Sequence, residues 1–400
     1  MSSVNEEQEM AVGFAQFERT WGENALLALD TLAMRSRKGI PSWIVHTMDV
    51  PFMEEMTGHA PGKYKQDPHS VYLDFQRRCG TCAIDQYIPD NPLTMGEKGY
   101  ESERERGATT GAEEIMLNGI RIDSPEAVVE HMERFDFPHL EKAIAECDPE
   151  DEEASSRLVE RECETQRLFG NDILKIPYGG GFQCFPGLRY FQYGYVQYFT
   201  AYVLYPEVME KDFRLQADLA VRRNRTAAKA YTKGSLPKLL RLDHDMTDSR
   251  GTLVDIKSLD EIWFPHLARS LEPYHEAGVR LIWHCDGNVM QMVPRLIEVG
   301  VSGFQGFQYE DGVDYERICR MEDRDGSPLM IWAGVSVTKT LPFGSPAGVA
   351  EEMKWLVKNG PRAGLFLGGS SSICPGTKRE NIKAMIEGIR YYREHGREGW

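Results

Sequence analysis

Four hundred residues, 41% hydrophobic and 27% charged, supply ample material for one large folded domain or two ordinary ones. The formal net charge of −16 argues against binding a nucleic-acid backbone, which needs clustered Lys and Arg. No run of about 18 apolar residues occurs, so no membrane-spanning helix is expected.

The chain opens on Met1-Ser2-Ser3-Val4-Asn5-Glu6-Glu7, acidic and without an apolar stretch. That is unlike a secretory signal and points to a cytoplasmic location. Residues 1–39 read as an N-terminal helical extension and residues 40–400 as the domain proper. Residues 41–46 read as the first strand. Residues 82–88 read as the second, after a helix over 70–78. Residues 89–164 then read as a long insertion with helices of its own. Its last part, 146–164, is rich in acid, including Asp148-Pro149-Glu150-Asp151-Glu152-Glu153. Such a run ordinarily marks a solvated face, and alternatively a docking surface for a basic partner.

Residues 172–177 read as the third strand. Gly179-Gly180-Gly181 follows and opens an aromatic segment that includes Phe182, Phe185, Tyr190, Tyr193 and Tyr195. The glycines let a ligand approach the backbone closely. They lack the Lys-Ser/Thr of a P-loop and do not form a dinucleotide fingerprint. Aromatic density is more often core, but beside a strand end it suits a flat ligand such as an arene.

From residue 239 the rhythm is regular. Apolar runs at 239–243, 279–283, 301–307, 328–334 and 364–368 alternate with helical patterns at 289–298, 315–321, 346–359 and 378–394. Strands alternating with helices mean a parallel sheet, and eight of them favour an α/β fold of the (β/α)8 TIM barrel type, here with a helical insertion after the second strand.

In such a barrel the active site lies at the C-terminal strand ends. Four of these ends are polar or glycine-rich: Asp243-His244-Asp245, His284-Cys285-Asp286-Gly287-Asn288, Gln308-Tyr309-Glu310, and Gly368 to Cys374. His284, Cys285 and Asp286 are all competent metal-ligand types, and residues at i and i+2 on a strand face the same way, so His284 and Asp286 can converge. Cys374 could complete a metal site from the last strand end. The alternative is that His284 is an acid/base or hydrogen-bonding group and Cys285 merely packs. Cys79-Gly80-Thr81-Cys82 has no second cysteine pair and sits between a helix end and a strand, so packing explains it best. Eight cysteines scattered along a long chain do not make a disulfide framework.

Taken together, Trp263-Phe264-Pro265-His266-Leu267, Tyr274-His275-Glu276-Ala277-Gly278, His284-Cys285-Asp286-Gly287-Asn288 and Gly369-Ser370-Ser371-Ser372-Ile373-Cys374-Pro375-Gly376-Thr377 with Glu380-Asn381-Ile382 resemble the uroporphyrinogen decarboxylase superfamily. The resemblance runs from about residue 239 to the end, is weaker over 40–204, and does not cover 89–164. It implies a (β/α)8 barrel and one of two activities. One is decarboxylation of a porphyrinogen without a cofactor. The other is methyl transfer from a small methylated donor (methoxy-arene or methylamine type) to a corrinoid protein, with zinc in the enzyme and the cobalamin supplied by the partner. A non-catalytic corrinoid- or tetrapyrrole-binding protein is a third reading, and a homodimer is compatible with all three.

The decarboxylases carry an Arg-Gln-Ala-Gly-Arg signature, whereas this chain has Met34-Arg35-Ser36-Arg37-Lys38-Gly39-Ile40-Pro41. That favours methyl transfer. In the methyltransferase register His284 matches the family's His, while Asp286 and Ser371 stand at Cys positions, with Cys374 three residues on. The resemblance therefore implies His284, Asp286, Asp243 and Asp245 as catalytic groups, and His284, Asp286, Glu310 and Cys374 as the zinc set. Gly180, Gly181, Phe182, Tyr193, Asn288, Gln308 and Ser371 would contact substrate.

Overall fold

The computed structural model describes residues 13–35, 37–90 and 114–398. Five parallel strands make its most regular part. Leu239–Asp243, Arg280–His284, Gly303–Gln305, Met330–Val335 and Leu365–Gly369 lie side by side in sequence order. Nearly every residue in them is buried, as expected of a parallel sheet covered on both faces. Helices that include Phe264–Glu276, Val293–Glu298, Pro346–Asn359 and Arg379–His395 connect or follow these strands on the outside.

Three shorter segments continue the lateral order. Ser42 bridges Leu367 in parallel, and Leu367 donates from its N–H to Pro41 O at 3.0 Å. Cys82 N donates to Ser42 O at 3.1 Å. Ala83–Ile84 pairs in parallel with Leu174–Lys175. The eight segments give the expected (β/α)8 barrel, with two departures. Residues 41–46 form isolated bridges rather than a ladder. The second and third strands also shrink to two residues each, because a buried lysine intrudes. Lys175 Nζ donates to Asp85 O at 3.0 Å and to Ile176 O, taking carbonyls that a longer ladder would use.

Among the described residues no backbone pairing joins Leu174–Lys175 to Leu239–Asp243. Side chains close this seam instead. Gln183 Nε2 donates to Arg241 O at 2.6 Å, and Tyr178 Oη to Asp243 Oδ2 at 2.9 Å.

The short 3-10 helix Gly13–Phe17 and the helix Glu23–Leu32 lie under the barrel floor. Phe14 N donates to Gly234 O at 2.7 Å and Gly22 N to Asn171 O at 2.9 Å, both just ahead of strands. Of the insertion expected at 89–164, residues 91–113 lie outside the described residues. The rest contains a hairpin, Met116–Leu117 with Ile120–Arg121, and the helices Pro125–His131 and Phe137–Glu146 joined by a π turn. The helix Glu152–Phe169 runs past that boundary, packs on the long helix Pro206–Lys233 and leads into Leu174–Lys175, so it serves as a barrel crossover.

The acidic stretch is partly spent inside the chain. Glu152 pairs with Lys233 at 3.1 Å, Glu150 with Lys229, and buried Glu162 with Lys175 at 3.0 Å. Cys79 and Cys82 are fully buried, and burial pushes the Cys82 thiol up to about 11. Among the described residues no helix is long and apolar enough to cross a membrane.

Candidate active site at the C-terminal mouth

Two adjacent strand tips build the site. Asp243 and His284 are register partners at the ends of Leu239–Asp243 and Arg280–His284. Strand alternation turns Asp243 and Asp245, and likewise His284 and Asp286, toward the mouth. His284 Nε2 stands 3.9 Å from Asp243 Oδ1 and 3.9 Å from Asp286 Oδ1. Each of Asp243, Asp245 and His284 offers a ligand atom within 4.8 Å of the others. Asp245 Oδ1 accepts from Asp286 N at 2.9 Å, which ties the two tips together. Gly306, with φ +79°, leaves room for the imidazole, since a Cβ there would sit 2.5 Å from His284 Nδ1.

Asp243 is held from behind. Its Oδ2 accepts from Arg241 Nη1 at 2.8 Å and from Tyr178 Oη at 2.9 Å, leaving Oδ1 toward His284. Arg241 is itself buried, donating to Asp85 Oδ2 at 2.6 Å and to Gln86 Oε1 at 3.1 Å, with the Tyr178 ring 4.6 Å from its guanidinium. Burial alone would raise the Asp243 carboxyl. The attraction of His284 and Arg241, with the two hydrogen bonds, outweighs burial and holds it below the usual range. Asp286 goes the other way. Desolvation, against the attraction of His284, combines with repulsion from Asp245, Asp243 and Glu310 to raise it to about 6.

The middle residue of each tip turns aside. His244 Nε2 accepts from Leu188 N at 2.9 Å, and burial lowers it to about 4, so it stays a neutral acceptor. Cys285 Sγ accepts from Met246 N at 3.2 Å, and burial pushes the thiol up to about 12. Cys285 therefore packs and takes no part in the cluster.

The remaining expected residues scatter. Glu310 is near enough to raise Asp286, yet its Oε1 accepts from Ser336 Oγ at 2.6 Å and from Thr338. Cys374 feels the Asp286 charge, and burial raises its thiol, but it is outside the three-residue cluster. The metal-competent set the structure gathers thus shares only His284 with the set expected from the sequence. Gln308 Oε1 accepts from Gly287 N at 2.7 Å and Asn288 Nδ2 donates to Asp311 O at 2.9 Å, so both order loops at the rim. Ser371 is half-buried just after Leu365–Gly369. Gly180 and Gly181 are exposed, with Gly180 O accepting from Arg161 at 2.5 Å.

Two expected contacts are corrected. Phe182 is fully buried against Tyr231, and Tyr193 is fully buried with its hydroxyl on Asp136 at 2.6 Å. Both are core residues, because apolar rings bury wherever packing allows. Tyr190 is fully buried too, but it supports the site from the core: its hydroxyl donates to Asp245 O at 2.6 Å and its ring stacks on His244. Sequence reading missed Arg241 too, although it lies two residues before Asp243 and so on the same strand face. Asp85 and Tyr178 carry no local signal.

Residues 245–392 match the family model described as uroporphyrinogen decarboxylase (URO-D). Over these residues, in the C-terminal part of the chain, the sequence is similar to that family. Among solved structures the chain is similar to a methyltransferase from Methanosarcina mazei, at 14% identity and a TM-score of 0.53, over 92% of this chain and 98% of that one. At that identity the likeness establishes the shared fold, and it extends through the N-terminal half beyond the family match. A B12-independent methionine synthase from Shewanella sp. W3-18-1 aligns at 13% identity over 61% of this chain and 65% of its own, with a TM-score of 0.31. No curated protein matches the chain.

Proposed function

We propose that this chain is a methyltransferase of the URO-D superfamily that moves a methyl group from a small methylated donor to the cobalt of a corrinoid protein. The observation that carries this reading is the charge of the mouth. Asp243, Asp245 and Asp286 surround His284 and Glu310 acts on Asp286, while Arg241, the cation packed behind them, is already shared between Asp85 and Asp243. A polycarboxylate porphyrinogen would meet repulsion there. A cation or a neutral methyl donor would not. The fold shared with a solved methyltransferase is in keeping with this choice.

The residues also fit a divalent cation. Two carboxylates and an imidazole converge, and the far oxygen of Asp243 is held by Arg241 and Tyr178, as outer partners commonly hold a metal-ligating carboxylate. The set is of borderline-to-hard character, with Cys285 turned away, and suits zinc held by N and O ligands. Asp243, Asp245 and His284 would hold the ion, with Asp286 beside them. Such an ion supplies a Lewis acid that stabilises the basic leaving group. The chain's own residues do the rest. Asp243 sets a negative charge 3.9 Å from His284, the Asp286–Asp245 bond keeps the two tips in register, and Tyr190 supports Asp245 from the core.

The test is to incubate purified protein with Co(I) cobalamin and a panel of methoxy-arenes and methylamines, following the spectral change to methylcobalamin. Methylation by one donor class, lost in His284→Ala, is expected. Carbon dioxide release from uroporphyrinogen without any methylation would overturn the reading. Metal analysis of the same preparations checks the cation set, which predicts stoichiometric metal lost on His284→Ala.

A further inference from the structure

The barrel floor, on the face opposite the mouth, holds a cavity of about 660 Å³. That is within the roughly 300–1,000 Å³ span of small-molecule sites. Its two sides differ in chemistry. The N-terminal segment contributes Phe14, Trp21 and Leu32, an apolar side in which Phe14 and Trp21 are ring neighbours at 6.2 Å. The strand starts and a neighbouring loop contribute Lys238, Arg280 and Arg324.

Lys238 and Arg324 have no ion-pair partner among the described residues, and Arg280 has a long one. Its Nη1 faces Asp323 Oδ2 at 3.7 Å, while the other oxygen, Oδ1, accepts from Asp325 N at 3.0 Å and Ser327 N at 2.9 Å. Arg280 Nη1 is buried without a hydrogen-bond acceptor among the described residues. Leaving a charged donor unpaired is costly, and such a group calls for an ion or ligand. Glu18 and Asp325 also line the cavity, but no ion pair joins either to the three cations among the described residues. Arg35 is already paired with Asp30. His275, close to Arg324, is kept below its usual value first by burial and then by that guanidinium, which favours its neutral form. Lys238, Arg280 and Arg324 thus form a basic cluster beside an apolar wall, with Glu18, Asp323 and Asp325 on the same lining.

We propose that this floor cavity binds a small amphipathic organic anion. Its aromatic or aliphatic body would lie against Phe14, Trp21 and Leu32, and a carboxylate, sulfonate or phosphate group would pair with the Lys238, Arg280 and Arg324 cluster. The ligand would bridge the N-terminal segment to the barrel floor. Its role would be that of an effector that clamps this segment, since barrel chemistry sits at the other end.

The test uses full-length protein and the aryl sulfonate 8-anilinonaphthalene-1-sulfonate as probe, with the uncharged N-phenyl-1-naphthylamine as comparison. The expected result is saturable one-site binding that weakens with salt, is about tenfold or more weaker in Arg280→Gln, and is largely kept in Arg280→Lys. The uncharged probe should bind at least about tenfold more weakly than the sulfonate. Equal binding by wild type and Arg280→Gln, equal binding of both probes, or no binding to wild type overturns the proposal. If Arg280→Gln fails to fold, Lys238→Gln and Arg324→Gln carry the same comparison, and unchanged affinity in both is again fatal.

Discussion

The tips Asp243-His244-Asp245 and His284-Cys285-Asp286 stand side by side on one plan. In each, the first and third residues face the mouth and the second turns into the wall. Yet the residue types are interchanged: the imidazole that faces the mouth in one tip is the wall-side acceptor in the other. Burial opposes charge on both rings; the carboxylates around His284 outweigh it and raise that ring, while His244 is lowered to about 4. Parity along the strand, rather than the chemistry of the side chain, decides which residue can act.

The sharpest way to break this comparison is to remove an outward residue. Asp243→Asn or His284→Ala should lower methyl transfer by about 10²- to 10⁴-fold, with the melting temperature close to wild type. Activity that survives both substitutions would move the chemistry elsewhere. Next is the support behind the first tip. Arg241→Met leaves Asp85 and Asp243 as uncompensated buried charges, and urea unfolding should show a loss of about 3–5 kcal/mol.

The inward residues should behave differently. His244→Phe strands the Leu188 N–H, so stability should fall by about 1–3 kcal/mol while metal content holds. A large loss of metal in that variant would mean His244 is a ligand after all. The smallest effect is expected at Cys285. Cys285→Ser keeps an acceptor for Met246 N and should stay within about 1 kcal/mol of wild type. Because its thiol lies up near 12, iodoacetamide should leave Cys285 unmodified in the folded protein at pH 8. Mass-spectrometric detection of rapid modification there would show that the thiol is activated.

Much of this was legible before the structure. From residue 239 onward each strand is a contiguous apolar run followed by a helical pattern, so period and punctuation agree. The outward residues Asp243, Asp245, His284 and Asp286 were readable because i and i+2 share a face. The N-terminal half was harder. Its strands pair over two residues, and Lys175 spends its ammonium on carbonyls no local pattern reveals. Aromatic density near Gly181 misled at Phe182 and Tyr193, since sequence does not say which rings a core will claim. Asp85 and Tyr178 reach Arg241 and Asp243 from far along the chain, and only the fold could join them.

The seam between Leu174–Lys175 and Leu239–Asp243 has a consequence for how tightly the barrel is sealed. Where the strands from residue 239 onward are stitched by amide ladders, this edge is latched by Tyr178, Gln183 and Arg241. The same latch aims Asp243. Whatever settles on that carboxylate therefore also pulls the barrel shut, and amide hydrogen exchange along the seam should slow when the mouth is filled. Occupancy and cohesion would then be written in one set of side chains.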